Sequence, residues 1–130
     1  MRIQKFEDLL VWQKAINLTI ELYAILNTVN DYGYKNQIQR AVISISNNVA
    51  EGFERGSDRD FKRFLFISQG SCSEVKSMLH VGVRLNYFSS EQFARLHDGV
   101  TEIGRMLFGL INSLSDGYTR KFRGSPSASD

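Results

Sequence analysis

Apolar residues recur three and four positions apart along nearly the whole chain, with almost no strand-like alternation. The pattern predicts four helices. The first covers about residues 8–29, "DLLVWQKAINLTIELYAILNTV", and the second about 34–55, after a turn at "NDYGY". Ser57 and Asp60 have capping-box spacing, and Gly56 just before them is suited to end the second helix. A third helix follows over about 58–87. Ser89 and Gln92 form a second capping box, with Phe88 and Phe93 spaced as its hydrophobic staple, and a fourth helix runs to about Leu114. Short connections between long helices make neighbours antiparallel. The expected fold is all-α, an antiparallel up-down-up-down four-helix bundle over residues 1–115. Residues 116–130 lose the periodicity and read as a mobile C-terminal tail.

The helical faces assign a core. Ile38, Val42, Ile45, Val49 and Phe53 line the second helix, and Phe61, Phe64, Leu65, Cys72, Val75, Leu79 and Val83 the third. The fourth has one narrow arc, Phe93, Leu96, Val100, Ile103, Leu107, Leu110, Ile111 and Leu114. The first helix carries two stripes. Leu9, Trp12, Ile16, Ile20, Tyr23 and Leu26 form one, while Val11, Leu18, Leu22, Ile25 and Val29 form the other. Together they span roughly 200°, against about 100° for a helix packed on one side. The first stripe is assigned to the bundle core and the second to another subunit. Ile67 and Met78, beside Gly70 and Ser71 on the third helix, supply the matching flank. Val11→Glu or Leu22→Glu is then expected to split an oligomer without unfolding the bundle.

The stretch "SISNNVAEGFERGS", residues 44–57, departs from the helical rule, because asparagine and glycine both weaken helices. Asn48, Glu51 and Arg55 form a polar seam along the second helix, with Arg63 and Glu74 as its counterpart on the third. Such a seam fixes register when each group finds a partner. Glu51 or Glu74 as a catalytic carboxylate would want a histidine, a second carboxylate or a metal cluster nearby. His80 and His97 lie in unrelated settings, so no enzyme, cofactor or metal site is expected.

The chain has 130 residues, 42% hydrophobic and 23% charged, which suits one folded domain. Its single proline, Pro126, lies beyond the helices. The lone cysteine, Cys72, reads as a buried thiol in a reducing cytoplasm. No signal peptide and no membrane span are expected, so the assigned location is cytoplasmic. A net charge of +2, from 16 basic and 14 acidic residues, does not by itself announce a nucleic-acid partner. The distribution of charge does more. Arg59, Lys62, Phe66, Gln69, Ser73, Lys76, His80 and Arg84 share the outward face of the third helix, with Asp58 as the only acid there. Basic residues around an exposed aromatic suit phosphate contact and base stacking. The tail adds Arg120, Lys121 and Arg123.

Three segments carry a family resemblance: "VWQKA" at 11–15, "NVAEGFERGSDRDFKRFLFISQGSCSE" at 48–74 and "MLFGLINSL" at 106–114. Over about residues 5–115 the chain resembles the ribosomal-protein-like four-helix bundle proteins encoded in intervening sequences of 23S ribosomal RNA genes. Asn48, Glu51 and Gly52 match the family pattern, and Ser46 stands where family members have proline. The resemblance implies a homo-oligomer, a pentamer, without enzymatic activity. It extends to the accessory variability determinant of diversity-generating retroelements, a pentameric bundle that engages a reverse transcriptase and nucleic acid. RNA or DNA is therefore an expected partner. The alternative is an oligomeric scaffold for an intracellular protein, with no nucleic-acid role.

Overall fold

The computed structural model describes residues 3–115; the predicted tail, 116–130, lies outside the described residues. A single 3-10 turn, Phe6–Asp8, precedes four helices: α1 Leu10–Leu26, α2 Tyr32–Glu54, α3 Asp58–Arg84 and α4 Ser90–Ser113. There is no strand among the described residues. α2 packs most extensively on α3, α3 on α4, and α1 closes the bundle against both α2 and α4. This is the expected four-helix, all-α fold.

Local chemistry explains the boundaries. Asp31 caps α2 by accepting the Tyr34 N–H at 3.2 Å. Gly56, at φ 91°, turns the chain out of α2 in a conformation that glycine adopts without steric penalty. Ser57 then caps α3 through the Asp60 N–H, and the Ser89–Gln92 box at α4 is complete in both directions. The end of α3 comes earlier than the pattern predicts. Asn86 adopts φ 64°, its N–H bonds to the Val83 carbonyl, and the Tyr87 N–H reaches the Gly82 carbonyl at 2.9 Å. That paired arrangement closes a helix, and asparagine is the non-glycine residue most tolerant of it.

α2 runs unbroken through Ser46, whose hydroxyl donates to the Ile43 carbonyl. The predicted core stripe of α2 is completely buried, as are Phe61, Leu65, Val75 and Leu79 of α3. Two glycines let elements approach closely. A Cβ on Gly52 would fall 2.6 Å from the Phe64 Cβ, and one on Gly82 would fall 2.4 Å from both the Phe88 ring and the Tyr34 hydroxyl. The Tyr34 hydroxyl donates to the Met78 carbonyl at 2.5 Å, and burial pushes its pKa upward. Tyr87 donates to Asp31 at 2.7 Å, a bond that holds the Asp31 carboxyl below its ordinary range.

Candidate nucleic-acid interface

α3 begins with two acids in its first turn, where the partial positive charge of a helix N-terminus favours them. They point in different directions. Asp60 stays partly exposed, 3.7 Å from the Arg63 guanidinium. Asp58 is fully buried, and its Oδ2 accepts from the Ser115 N–H at 3.1 Å and the Ser115 hydroxyl at 3.2 Å. The sequence places Asp58 on the basic face of the helix. In the structure it is withdrawn from that face and ties the end of α4 to the start of α3. Helical projection alone misses this, because a residue in the first turn can be drawn inward by a partner distant in sequence.

The rest of that face keeps its predicted direction. Arg59, Phe66, His80 and Arg84 are exposed, Phe66 at 57%. Lys62 and Lys76 are half-buried, as expected of long stems that lie along the helix surface. Arg84 donates to the His80 carbonyl at 3.1 Å. Toward α4, His80 meets the Phe93 ring edge-on at 5.0 Å and the His97 ring at 5.3 Å, so three rings from two helices adjoin the cations. With a rise of 1.5 Å per residue, Arg59 and Arg84 lie about 37 Å apart along the axis. That length suits several consecutive phosphates, and the exposed rings offer faces for unpaired bases.

The polar seam divides into a packed part and a solvated part. Asn48 Nδ2 donates to the Ser44 carbonyl at 2.8 Å and to the Ser44 hydroxyl at 2.9 Å; Ser71 donates to the same hydroxyl at 2.8 Å. These three side chains link α2 to α3. Ser44 and Ser71 border an open groove of about 470 Å³ lined also by Asn36, Gln37, Arg40 and Glu74. The charged members lie in water rather than beside the core. Glu51 pairs with Arg55 at 2.8 Å between exposed side chains, and Glu74 is exposed at the groove edge. The Arg55 and Arg63 guanidinium carbons each lie 4.9 Å from the centre of the Phe64 ring. These charges therefore avoid the desolvation penalty that a buried seam would carry. Because Ser44 keeps its bond to Ser71, Asn48→Leu should lower stability by only about 1 kcal/mol, at the lower end for a lost buried hydrogen bond. A thermal melt reads this directly, and a loss of several kcal/mol would mean that Asn48 holds more than Ser44.

The 23S rRNA-intervening sequence protein family model matches residues 7–109, which include α1, α2, α3 and most of α4. The chain belongs to this family. Six chains of solved structures match it. One is the crystal structure of a protein of unknown function from the S23 ribosomal protein family of Bacteroides thetaiotaomicron, with 26% identity and a TM-score of 0.74. The match covers 78% of the present chain and 98% of that one. No curated protein sequence matches at a significant level.

In this family member α1 buries parts of both stripes: Leu9 and Leu26 of the first are in the core as assigned, and much of the second, assigned to another subunit, joins them. Val11, Leu18 and Leu22 are 4%, 6% and 0% exposed and belong to the chain's own core, with Ile25 half-buried beside them. Ile20 and Tyr23, assigned to the core, are instead 65% and 37% exposed. Periodicity identifies two apolar stripes but not which of them α2 and α4 will cover. On α3, Ile67, Val81 and Leu85 remain exposed and Met78 is half-buried, leaving an apolar flank beside the α2–α3 groove. Cys72 is buried, which pushes its thiol up to about 12 and keeps it protonated at neutral pH. Among the described residues, no three or more His, Cys, Asp and Glu side chains are grouped so as to hold a metal ion. No helix among them is long and apolar enough to cross a membrane.

Proposed function

We propose that this chain is a non-enzymatic, self-associating helical bundle that holds nucleic acid against the basic face of α3. The observation that carries the reading is the withdrawal of Asp58. With that carboxylate bound to Ser115, the outward face from Arg59 to Arg84 presents cations and the Phe66 ring without an acid of its own helix among them. Phosphates and base faces carry little sequence information, so binding is sequence-tolerant.

Self-association uses the apolar positions left outside the core, Ile20 and Tyr23 on α1 and Ile67, Val81 and Leu85 on α3. Exposed apolar surface on two separate faces suits a contact between unlike patches, which closes into a ring and repeats the basic face around it. A pentamer is the proposed state, on the strength of the resemblance to the accessory variability determinant. Light scattering tests it: a clean 14.8 kDa species across micromolar concentrations would exclude self-association.

The nucleic-acid test is fluorescence anisotropy with labelled single-stranded RNA, single-stranded DNA and duplex DNA at two salt concentrations. Affinity should fall steeply with salt, because each neutralised phosphate releases condensed counterions. Replacing Arg59, Lys62, Lys76 and Arg84 together by glutamine should abolish binding with helicity unchanged. Phe66→Ala should weaken single-stranded binding more than duplex binding, since stacking requires an unpaired base. Wild-type protein that binds nothing at low salt would leave the scaffold for an intracellular protein as the better reading.

A further inference from the structure

α3 and α4 run antiparallel, and two contacts set their register. Near one end Asp58 accepts from the Ser115 N–H at 3.1 Å; near the other the His80 ring lies 5.0 Å from Phe93 and 5.3 Å from His97. Between these pins Phe66 stands eight residues after Asp58, and Phe108 stands seven residues before Ser115. At 1.5 Å per residue they lie about 12 Å and about 10 Å from that end, so they share a level along the bundle. They also share a side. Phe66 is fourteen residues from His80 and Phe108 eleven from His97, close to four and three whole turns. Each therefore falls on the side of its helix where the two histidines meet. Phe108 is 60% exposed and Phe66 57%, so neither serves the core. An added Cβ on Gly104, one turn before Phe108, would meet nothing within 4 Å, which leaves the approach to that ring open.

On α3 a lysine precedes a ring by one turn at both levels, Lys62 before Phe66 and Lys76 before His80. The acids of α4, Glu91, Asp98 and Glu102, fall on its outer and α1-facing sides, where Glu102 pairs with Lys14 at 3.4 Å. We infer that α4 supplies the second half of the binding surface, and that its ligand is single-stranded nucleic acid. One unpaired base stacks at Phe66 and Phe108, and another at the His80, Phe93 and His97 rings. The inference rests on the nucleic-acid reading above and narrows its ligand from nucleic acid in general to single strands. A duplex keeps its base faces inside and engages only the cations, whereas a single strand offers phosphates and base faces together. A second copy of this chain fits the place poorly, because two such faces brought together set cations against cations.

The experiment measures fluorescence anisotropy of an RNA 20-mer, the DNA 20-mer of the same sequence and that DNA annealed to its complement, with the full chain at two salt concentrations. Phe108→Ala should weaken single-strand binding by about 5- to 150-fold, as expected for one lost stacking ring, and duplex binding by less than about twofold. The slope of log affinity against log salt should stay as in the wild type, since no charge is removed. Phe108→Tyr should bind like the wild type. Phe108→Leu should bind like Phe108→Ala, because leucine keeps apolar area but has no flat face. Loss with either sugar supports the inference, and the tighter of the two strands identifies the sugar. Wild-type affinity in Phe108→Ala or Phe108→Leu overturns it, as does an equal loss for single strand and duplex. A lower mass of Phe108→Ala by light scattering also overturns it, the ring then belonging to a contact between copies. In each of these cases, loss of binding by the quadruple glutamine variant of α3 would leave the proposed function standing. No binding by the wild-type chain at low salt removes both.

Discussion

Leu22→Glu should leave almost no folded chain to assemble. Leu22 is 0% exposed on the face of α1 that packs inside the bundle, together with Leu18 and Leu26. A carboxylate there has no partner and must either remain charged in an apolar site or take up a proton. The penalty of several kcal/mol is a large part of the roughly 5–15 kcal/mol that stabilises a typical domain. Ile20→Glu, two residues earlier and 65% exposed, should change the stability of the isolated bundle by no more than about 0.5 kcal/mol while weakening self-association. Circular dichroism and light scattering on both variants separate the effects. A Leu22→Glu protein that keeps its helicity and its melting temperature, and changes only in mass, would show that the second stripe faces another subunit after all.

Gly52→Ala should be destabilising although it improves helix propensity. In an open helix the substitution contributes about 1 kcal/mol of stability. At Gly52 the new methyl would sit 2.6 Å from the Phe64 Cβ and 3.0 Å from a Phe61 ring carbon. The Phe64 Cβ is attached to the α3 backbone and cannot retreat by changing rotamer, so the helices must separate. Overpacking of this kind typically costs about 1–3 kcal/mol, which outweighs the propensity gain. For a domain of this size, each kcal/mol lowers the midpoint by roughly 2–8 °C. Gly70→Ala is the internal control, because nothing lies within 4 Å of its added methyl and the propensity gain should appear undiminished. If Gly52→Ala melts as high as Gly70→Ala, the α2–α3 contact is looser than its geometry indicates.

These two residues show how far local pattern reaches. Four helices, their antiparallel order, the caps at Ser57 and Ser89 and the stop at Gly56 were legible because each depends on neighbours within four residues. The core stripes of α2 and α4 were legible for a related reason: each has one dominant apolar face, and only one face of such a helix can be buried. The outward direction of Arg59, Phe66, His80 and Arg84 follows from the same geometry, as the side of α3 opposite its core. α1 was ambiguous because it carries two apolar stripes, and only the positions of α2 and α4 decide that Leu22 is inside and Ile20 outside. The seam borders the core stripe in projection, yet Glu51 and Arg55 satisfy one another in water, and of the seam only Asn48 and Ser44 join, through Ser71, a hydrogen-bonded link between helices. Gly52 could be read as a close approach but not as an approach to Phe64, which comes from α3. Asp58 was least legible of all. Its partner is 57 positions away at the end of α4, and no periodicity within one helix encodes a hydrogen bond between the ends of two. Sequence by itself determined which segments are helical and which have a single apolar face. Tertiary structure decided which of two apolar faces is covered and which acid leaves the surface, because both depend on distant segments competing to cover the same side chains.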